Sequence, residues 1–230
     1  MKKRQIALDT ETTGINKFGA HYLGHKIIEI AAVEILDRKI TGKKFHTYLN
    51  PRRLIDKEAY KIHNIKEDFL KDKPLFKDKI VEFIKFIKGS DLIIHNARFD
   101  VGFINNEINM LNLKKEIKID KICTIIDSLN IARKVFPCKK NNLNDLCFRL
   151  SVNNKDRKFH SALLDANILA EVFLKLTSNQ IKIDFDINNK NNIEYNILNK
   201  KNIKIIYANK KEILSNNIFF NFIKKKYINN

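Results

Sequence analysis

Gln5-Ile-Ala-Leu-Asp-Thr-Glu11 is the segment around which the rest of the chain is arranged. Its residues alternate, with Ile6, Leu8 and Thr10 on one side of an extended chain and Ala7, Asp9 and Glu11 on the other, which is the period of a β-strand. The strand therefore ends with two carboxylates on one side. Downstream, Lys26 to Leu36 and Phe45 to Leu49 read as two further strands around the polar Asp37-Arg38-Lys39 and Gly42, a meander at the front of a sheet. After Pro74, the residues Leu75, Phe76, Ile80, Phe83, Ile84 and Ile87 recur at helical spacing, and Gly89 stops the helix. Leu92 to Ile94 is a short buried strand, leading through His95-Asn96-Ala97-Arg98 into a helix from Phe99 to Leu111. An apolar run from Ile122 to Ile126 precedes helices over Asp127 to Phe136, Leu143 to Leu150 and Ala162 to Leu176. The expected class is α/β, a mixed β-sheet flanked by α-helices.

The chain has 230 residues, 44% of them apolar and 30% charged, enough apolar mass for one core plus an appendage and too little for three domains. No window approaches the ~18 uninterrupted apolar residues of a membrane helix, and Met1-Lys-Lys-Arg-Gln-Ile6 runs into a strand pattern instead of a signal segment. No membrane partner and a cytoplasmic location are expected. Cys123, Cys138 and Cys147 form neither a CxxC pair nor an even set, which fits a reducing compartment, argues against zinc and makes all three core or boundary thiols. Lys and Arg number 44 against 26 acids, a balance of +18 that favours a polyanionic partner such as nucleic acid. An excess of Lys, Ile and Asn is also what A+T-rich coding DNA produces, so the charge alone leaves both explanations open.

Four acids stand where the chain leaves regular structure: Asp9 and Glu11 on the first strand, Asp100 at the opening of a helix, and Asp165 near the start of the last domain helix. Two carboxylates two residues apart on a strand project together and repel unless a cation lies between them. Oxygen-only ligation selects Mg²⁺ or Mn²⁺ over zinc. Hydrolysis also needs a proton acceptor, and His160, just before the helix that carries Asp165, has an unperturbed pKa of ~6.5 suited to that work.

Asp9-Thr-Glu11-Thr-Thr-Gly14, His95-Asn-Ala-Arg-Phe-Asp100 and His160-Ser-Ala-Leu-Leu-Asp165 resemble, in order and spacing, the three motifs of the DEDD exonucleases with a histidine in the third. Gly24-His-Lys-Ile-Ile-Glu-Ile-Ala-Ala-Val-Glu34 and Leu163-Leu-Asp-Ala-Asn-Ile-Leu-Ala-Glu-Val-Phe-Leu174 bring the resemblance nearer to the epsilon-type proofreading subunits of bacterial DNA polymerase III. It covers about Ile6 to Leu176. It implies a ribonuclease H-like fold and two-metal hydrolysis of the terminal phosphodiester at a single-stranded or frayed DNA 3′ end. Two divalent ions, Mg²⁺ or Mn²⁺, are then implied as cofactors. Asp9, Glu11 and Asp165 match metal ligands that also meet substrate, Asp100 matches the fourth acid, and His160 matches the general base. Glu58 and His63, in Glu58-Ala-Tyr-Lys-Ile-His63, resemble positions that touch the terminal nucleotide. His95 reads as structural, and His21, His25 and His46 receive no role. Phe18 and Phe99 adjoin motif residues, with stacking and packing equally open.

Composition shifts near Thr177, so an exonuclease domain over 1–177, a linker over 178–201 and a tail over 202–230 are expected. Gln180-Ile-Lys-Ile-Asp-Phe185 resembles the peptides by which replication proteins hold the sliding clamp. Asn202-Ile-Lys-Ile-Ile-Tyr-Ala208 with Lys211-Glu-Ile213 is similar to the tail that binds the polymerase alpha subunit. Lys211 to Lys226 reads as a basic amphipathic helix. Three rivals to a tethered proofreader remain at this point: a free-standing DNA or RNA trimming nuclease, a replicase scaffold with a decayed centre, and a tail that is only a basic arm on phosphate.

Overall fold

A computed structural model describes residues 4–112, 117–178 and 209–227, the last of these with side chains to Phe220. The chain divides into two units, Met1–Phe185 and Asp186–Asn230, each described by itself. The expected clamp peptide Gln180–Phe185 and the expected extended segment Asn202–Ala208 lie outside the described residues.

The first unit is built on a five-stranded sheet of order β3-β2-β1-β4-β5. The strands are β1 (Arg4–Thr12), β2 (Ile27–Leu36), β3 (Lys39–Tyr48), β4 (Asp91–Ile94) and β5 (Thr124–Asp127). The front three are antiparallel, whereas β4 runs parallel to β1 and β5 parallel to β4. β4 stops at Ile94 beside Leu8, so Asp9 to Thr12 extend past it and have a neighbour on one side only. That overhang creates the opening in which the acids stand.

Helices are α1 (Lys57–His63), α2 (Glu67–Leu70), α3 (Phe76–Ile87), α4 (Ala97–Asn109), α5 (Ile119–Ile122), α6 (Ser128–Val135), α7 (Leu143–Leu150) and α8 (Ala162–Leu176). Alternation along β1 divides them between two faces. Ile6 and Leu8 point into a core with Phe83 of α3 and Phe103 of α4. Ala7 points oppositely, into a core with Leu146 and Cys147 of α7 and Leu169 and Phe173 of α8. Because both faces are covered, β2 is apolar throughout apart from Glu29 and Glu34, and all but its last residue is buried. Where α8 crosses the sheet the side chains are small, Ala31 and Val33 against Ala162 and Ala166. These short side chains let the first turns of α8 lie close to β1, which brings Asp165 near Asp9 and Glu11.

The structure refines several local expectations and overturns that for Cys138. β3 begins at Lys39, not Phe45, because Asp37 and Arg38, with φ of 49° and 61°, close a two-residue turn of the primed kind that matches strand twist. Gly42, at φ 82°, sits inside the strand where the register shifts between Val33 and Ile35. The apolar run at Ile122–Ile126 is the end of α5 followed by β5. Cys123 and Cys147 are buried, but Cys138 is exposed in the loop after α6. Arg38 has a second use: it donates to Leu174 O and, at 3.0 Å, to Thr177 Oγ1, a cation satisfying the carboxyl end of α8.

The second unit contains α9 (Lys210–Tyr227), in accord with the helix expected there. Ile213, Leu214, Ile218, Phe219 and Phe220 on it are half or more exposed. No described helix is long and apolar enough to cross a membrane.

Candidate active site

Side-chain direction on β1 assigns each acid its neighbours. Asp9 and Glu11 share the face of Ala7 and so look toward α8, while Thr10 looks toward α4. Asp100, in the first turn of α4, accepts a 2.6 Å hydrogen bond from Thr10 Oγ1, and this bond carries it past the end of β4 into the same opening. The chain reaches α4 through Asn96 in the left-handed region at φ 73°, a conformation asparagine tolerates, and Asp127 accepts from the backbone N–H of Asn96 and Ala97. Asp165 enters from α8. Glu11, Asp100 and Asp165 are buried.

Ligand atoms of Glu11, His160 and Asp165 lie within 4.8 Å of one another. Burial pushes the Asp9 carboxyl well above the usual carboxylate range, with Asp100, Glu11 and Asp165 adding repulsion. Burial does the same to Glu11, reinforced by Asp165 and Glu29. Asp100 is pushed up to about 7, again by burial, although the Thr10 bond opposes the shift. Hard oxygen donors crowded until they resist ionisation form a set that fits divalent cations, which would relieve the repulsion and restore the anionic forms.

Arg157 supplies what positive charge the cluster has. From the loop before α8 its guanidinium grips Asp165 with two bonds of 2.5 and 2.7 Å, donates to Asn144 Oδ1 at 2.7 Å and to His160 Nδ1 at 3.1 Å. This is the planar fork geometry that makes Arg–carboxylate pairs strong. His160 is itself 3.4 Å from Asp165 and is tied through its backbone N–H to Ile62 O. Burial and the Arg157 charge lower its pKa, so the imidazole is neutral near neutral pH, with the Nδ1 lone pair engaged by Arg157.

Asp9, Glu11, Glu58, His63, Asp100 and His160 line one cavity of about 480 Å³, whose remaining wall includes Ile15, Ile62 and Phe99. Asp165 lines a neighbouring groove that shares Asp9 and His160 with it. His63 is buried, its Nδ1 accepts from Ile65 N–H, and its Nε2 has no hydrogen bond among the described residues. The tautomer that results carries the hydrogen on Nε2. Glu58 is exposed at the rim and pairs with Lys17 at 3.4 Å. Phe99 stacks on His21 with 5.2 Å between centroids, so one of its faces is already covered by protein. Phe18 is 87% exposed.

Gly14 closes the first motif with φ at 149°, and a Cβ there would lie 2.5 Å from Asp56 Oδ2 and 2.8 Å from His25 Cε1. That close approach holds the loop before α1 against the end of β1.

Sequence reasoning missed two residues of the site. Arg157 has a signal only in hindsight, a cation three residues before His160. Glu29, opposite Glu11 in the β1–β2 register, is wholly buried and holds the start of α8. Its carboxylate accepts from Ala162 N–H at 3.0 Å, Ser161 Oγ at 3.1 Å and His46 Nε2 at 2.8 Å. His46 thereby acquires a structural role. His95 keeps the structural role expected of it, bonded to Ser128 Oγ and Asn141 O.

Residues 6–173 match the family model described as exonuclease. The chain is 56% identical over 189 residues to a DNA polymerase III subunit epsilon of Buchnera aphidicola subsp. Schizaphis graminum, covering 82% of this chain and 81% of that one. It is 52% identical over 183 residues to the subunit of the same name from Escherichia coli K12, covering 79% and 74%. Among solved structures, an exonuclease X in complex with 5′ overhanging duplex DNA superposes with a TM-score of 0.58 at 26% identity, over 76% of this chain and 92% of that one. A nuclease domain described as a DEDDh family member bound to rAMP shares the fold, with a TM-score of 0.61 at 15% identity over 77% and 93%. The mixed sheet with helices on both faces is therefore the ribonuclease H-like arrangement.

Proposed function

The chain belongs to the exonuclease family, with epsilon subunits of bacterial DNA polymerase III as its relatives, and from that premise we propose that it is a 3′-to-5′ exonuclease that proofreads for a replicative polymerase. The observation that carries the reading is the convergence of Asp9, Glu11, Asp100 and Asp165, drawn from three separate elements, around a neutral imidazole. All five motif residues stand where one cavity meets its neighbouring groove, which speaks against a decayed scaffold.

In this reading Asp9, Glu11 and Asp165 hold two divalent ions, Mg²⁺ or Mn²⁺, with Asp100 as the fourth acid. Such a pair supplies Lewis-acid stabilisation of the attacking and leaving oxygens of the phosphodiester. The chain supplies the rest. His160, kept neutral by its lowered pKa, takes the proton of the attacking water at Nδ1 once Arg157, which donates to that atom at 3.1 Å, has moved away from it. The cavity beside Ile62 and Phe99 receives the terminal nucleoside, His63 Nε2–H and Glu58 meet it, and the apolar wall excludes water from the rear of the sugar and base.

DNA and a polymerase are the partners. The tail over 202–230 is the segment we assign to the polymerase alpha subunit, and the exposed apolar side chains of α9 support that assignment, since a partner surface would bury them. Gln180–Phe185 is the segment assigned to the sliding clamp. The exonuclease domain is then 1–177 and the linker 178–201. A 3′-labelled primer incubated with purified protein tests the reading: label is released with Mg²⁺, retained with chelator, and retained by Asp9→Ala. Release that is indifferent to chelator or to Asp9→Ala would refute it.

A further inference from the structure

Two openings meet at the acidic cluster, and their linings differ in kind. Asp9, His95, Asn96 and His160 line both. The first is the partly apolar cavity of about 480 Å³ just assigned to the terminal nucleoside. The second is a groove of about 850 Å³ running between α6 and the start of α7, with Arg133, Lys139 and Lys140 on its walls and Asn141, Asn142 and Asn144 between them. Away from the catalytic cluster its single acid is Asp145, already occupied in accepting from Asn142 Nδ2 at 2.7 Å. No described carboxylate forms an ion pair with Arg133, Lys139 or Lys140, and all three are exposed.

The loop that presents the two lysines is held in place from several sides. Asn141 is buried, and its Nδ2 donates to Phe136 O and Lys139 O. Arg149 lies over the Phe136 ring, donates to Asn141 Oδ1 at 3.0 Å and also bonds Lys140 O. His95 Nε2, at the end of β4, bonds Asn141 O at 2.8 Å, which ties the loop directly to the strand that leads into Asp100. The cations therefore stand at a fixed offset from the catalytic cluster.

Resting on the exonuclease reading, we infer that this groove is the path of the phosphodiester backbone, with Lys139, Lys140 and Arg133 binding the phosphates that lie 5′ of the scissile one. The strand crosses from the groove into the nucleoside cavity at Asp9 and His160, which puts its last phosphodiester at the junction. Electrostatics favours this entrance: a polyanion is attracted along the basic wall, while the acids of the junction accept a phosphate only where cations neutralise them. The role assigned to these three residues is sequence-independent binding of phosphate, as in other single-strand binders.

The test compares the triple variant Arg133→Ala/Lys139→Ala/Lys140→Ala with the unsubstituted protein on two substrates, a single-stranded oligonucleotide and the p-nitrophenyl ester of thymidine 5′-monophosphate. The ester reaches the nucleoside cavity and the catalytic groups but has no upstream phosphates. The expected result is a KM for the oligonucleotide raised about tenfold or more with kcat kept, and ester hydrolysis unchanged. The slope of log KM against log salt should fall by about 2, since each single-strand phosphate that the protein neutralises adds ~0.7 to it. Lys139→Arg/Lys140→Arg should behave like the unsubstituted protein. An unchanged KM and salt slope would overturn the path, as would equal losses on both substrates, because the cations would then serve the chemistry. Failure of the unsubstituted protein to hydrolyse either substrate would instead overturn the exonuclease reading beneath it.

Discussion

Replacing Glu29 by alanine should damage both stability and catalysis, because one buried carboxylate joins β2 to the helix that carries Asp165. Its three hydrogen bonds reach Ala162 N–H, Ser161 Oγ and His46 Nε2, and its side chain is inaccessible to solvent. Hydrogen bonds to a charged group contribute about 1.5–3 kcal/mol each but are not additive within one network, and loss of a helix N-cap costs about 1 kcal/mol. Donors left unpaired in the interior add their own desolvation cost. A total near 3–5 kcal/mol is the scale expected when one partner of a buried ionic network is removed. For a domain of this size that lowers Tm by roughly 6–20 °C. Glu29→Gln keeps the shape but turns an amide NH₂ toward one set of donors, so its loss should be about half as large. Urea unfolding monitored by circular dichroism gives the stabilities, and turnover of a labelled primer below the melting range reports whether Asp165 is still in position. Stability of Glu29→Ala within about 1 kcal/mol of the unsubstituted protein, together with full kcat, would refute the claim that this carboxylate anchors α8.

Other residues make separate demands. Arg157→Ala removes the partner of buried Asp165, and should cost about 3–5 kcal/mol in chelator yet much less in Mn²⁺, because a divalent ion then balances the same carboxylates; melting curves with and without metal decide it, and an equal loss in both would contradict the competition between Arg157 and metal. Gly14→Ala places a methyl on Asp56 and His25 in a backbone region that alanine avoids, so a loss of about 2–4 kcal/mol and of most activity is expected by denaturation and primer assays. Glu34 is held below its ordinary pKa chiefly by its hydrogen bond from Arg4, so its folded form binds fewer protons than the unfolded chain and its contribution is present above pH ~4.5 and lost as pH falls through the lowered value. Glu34→Gln should therefore flatten the acid limb of stability against pH while leaving activity at neutral pH intact, as urea titrations across pH would register.

What can be read from the sequence is what repeats. Alternation from Gln5 to Glu11 is enough to separate Ile6 and Leu8 from Ala7, Asp9 and Glu11, and the structure puts those sets on opposite faces. The helical spacing of Leu164, Ile168, Val172 and Leu176 gives α8 its limits. Short elements carry too few periods: α1 and α2 have seven and four residues and give no pattern, and the four-residue α5 merges with the strand after it. The turn at Asp37-Arg38 has no glycine to announce it, so β3 reads shorter than it is. In the site, carboxylates at strand and helix ends are visible because regular structure fixes where they point. Glu29 looks like an interruption in an apolar strand, since its purpose depends on Ala162, 133 residues away. Arg157 sits in an irregular loop, where sequence spacing says nothing about reach.

Diffraction from crystals grown with Mn²⁺, using the anomalous signal of the metal, would locate the ions themselves. Anomalous peaks should lie within about 2.5 Å of carboxylate oxygens of Asp9, Glu11 and Asp165, with Arg157 withdrawn from Asp165. A crystal of active protein whose only anomalous peaks lie away from these side chains would contradict the account.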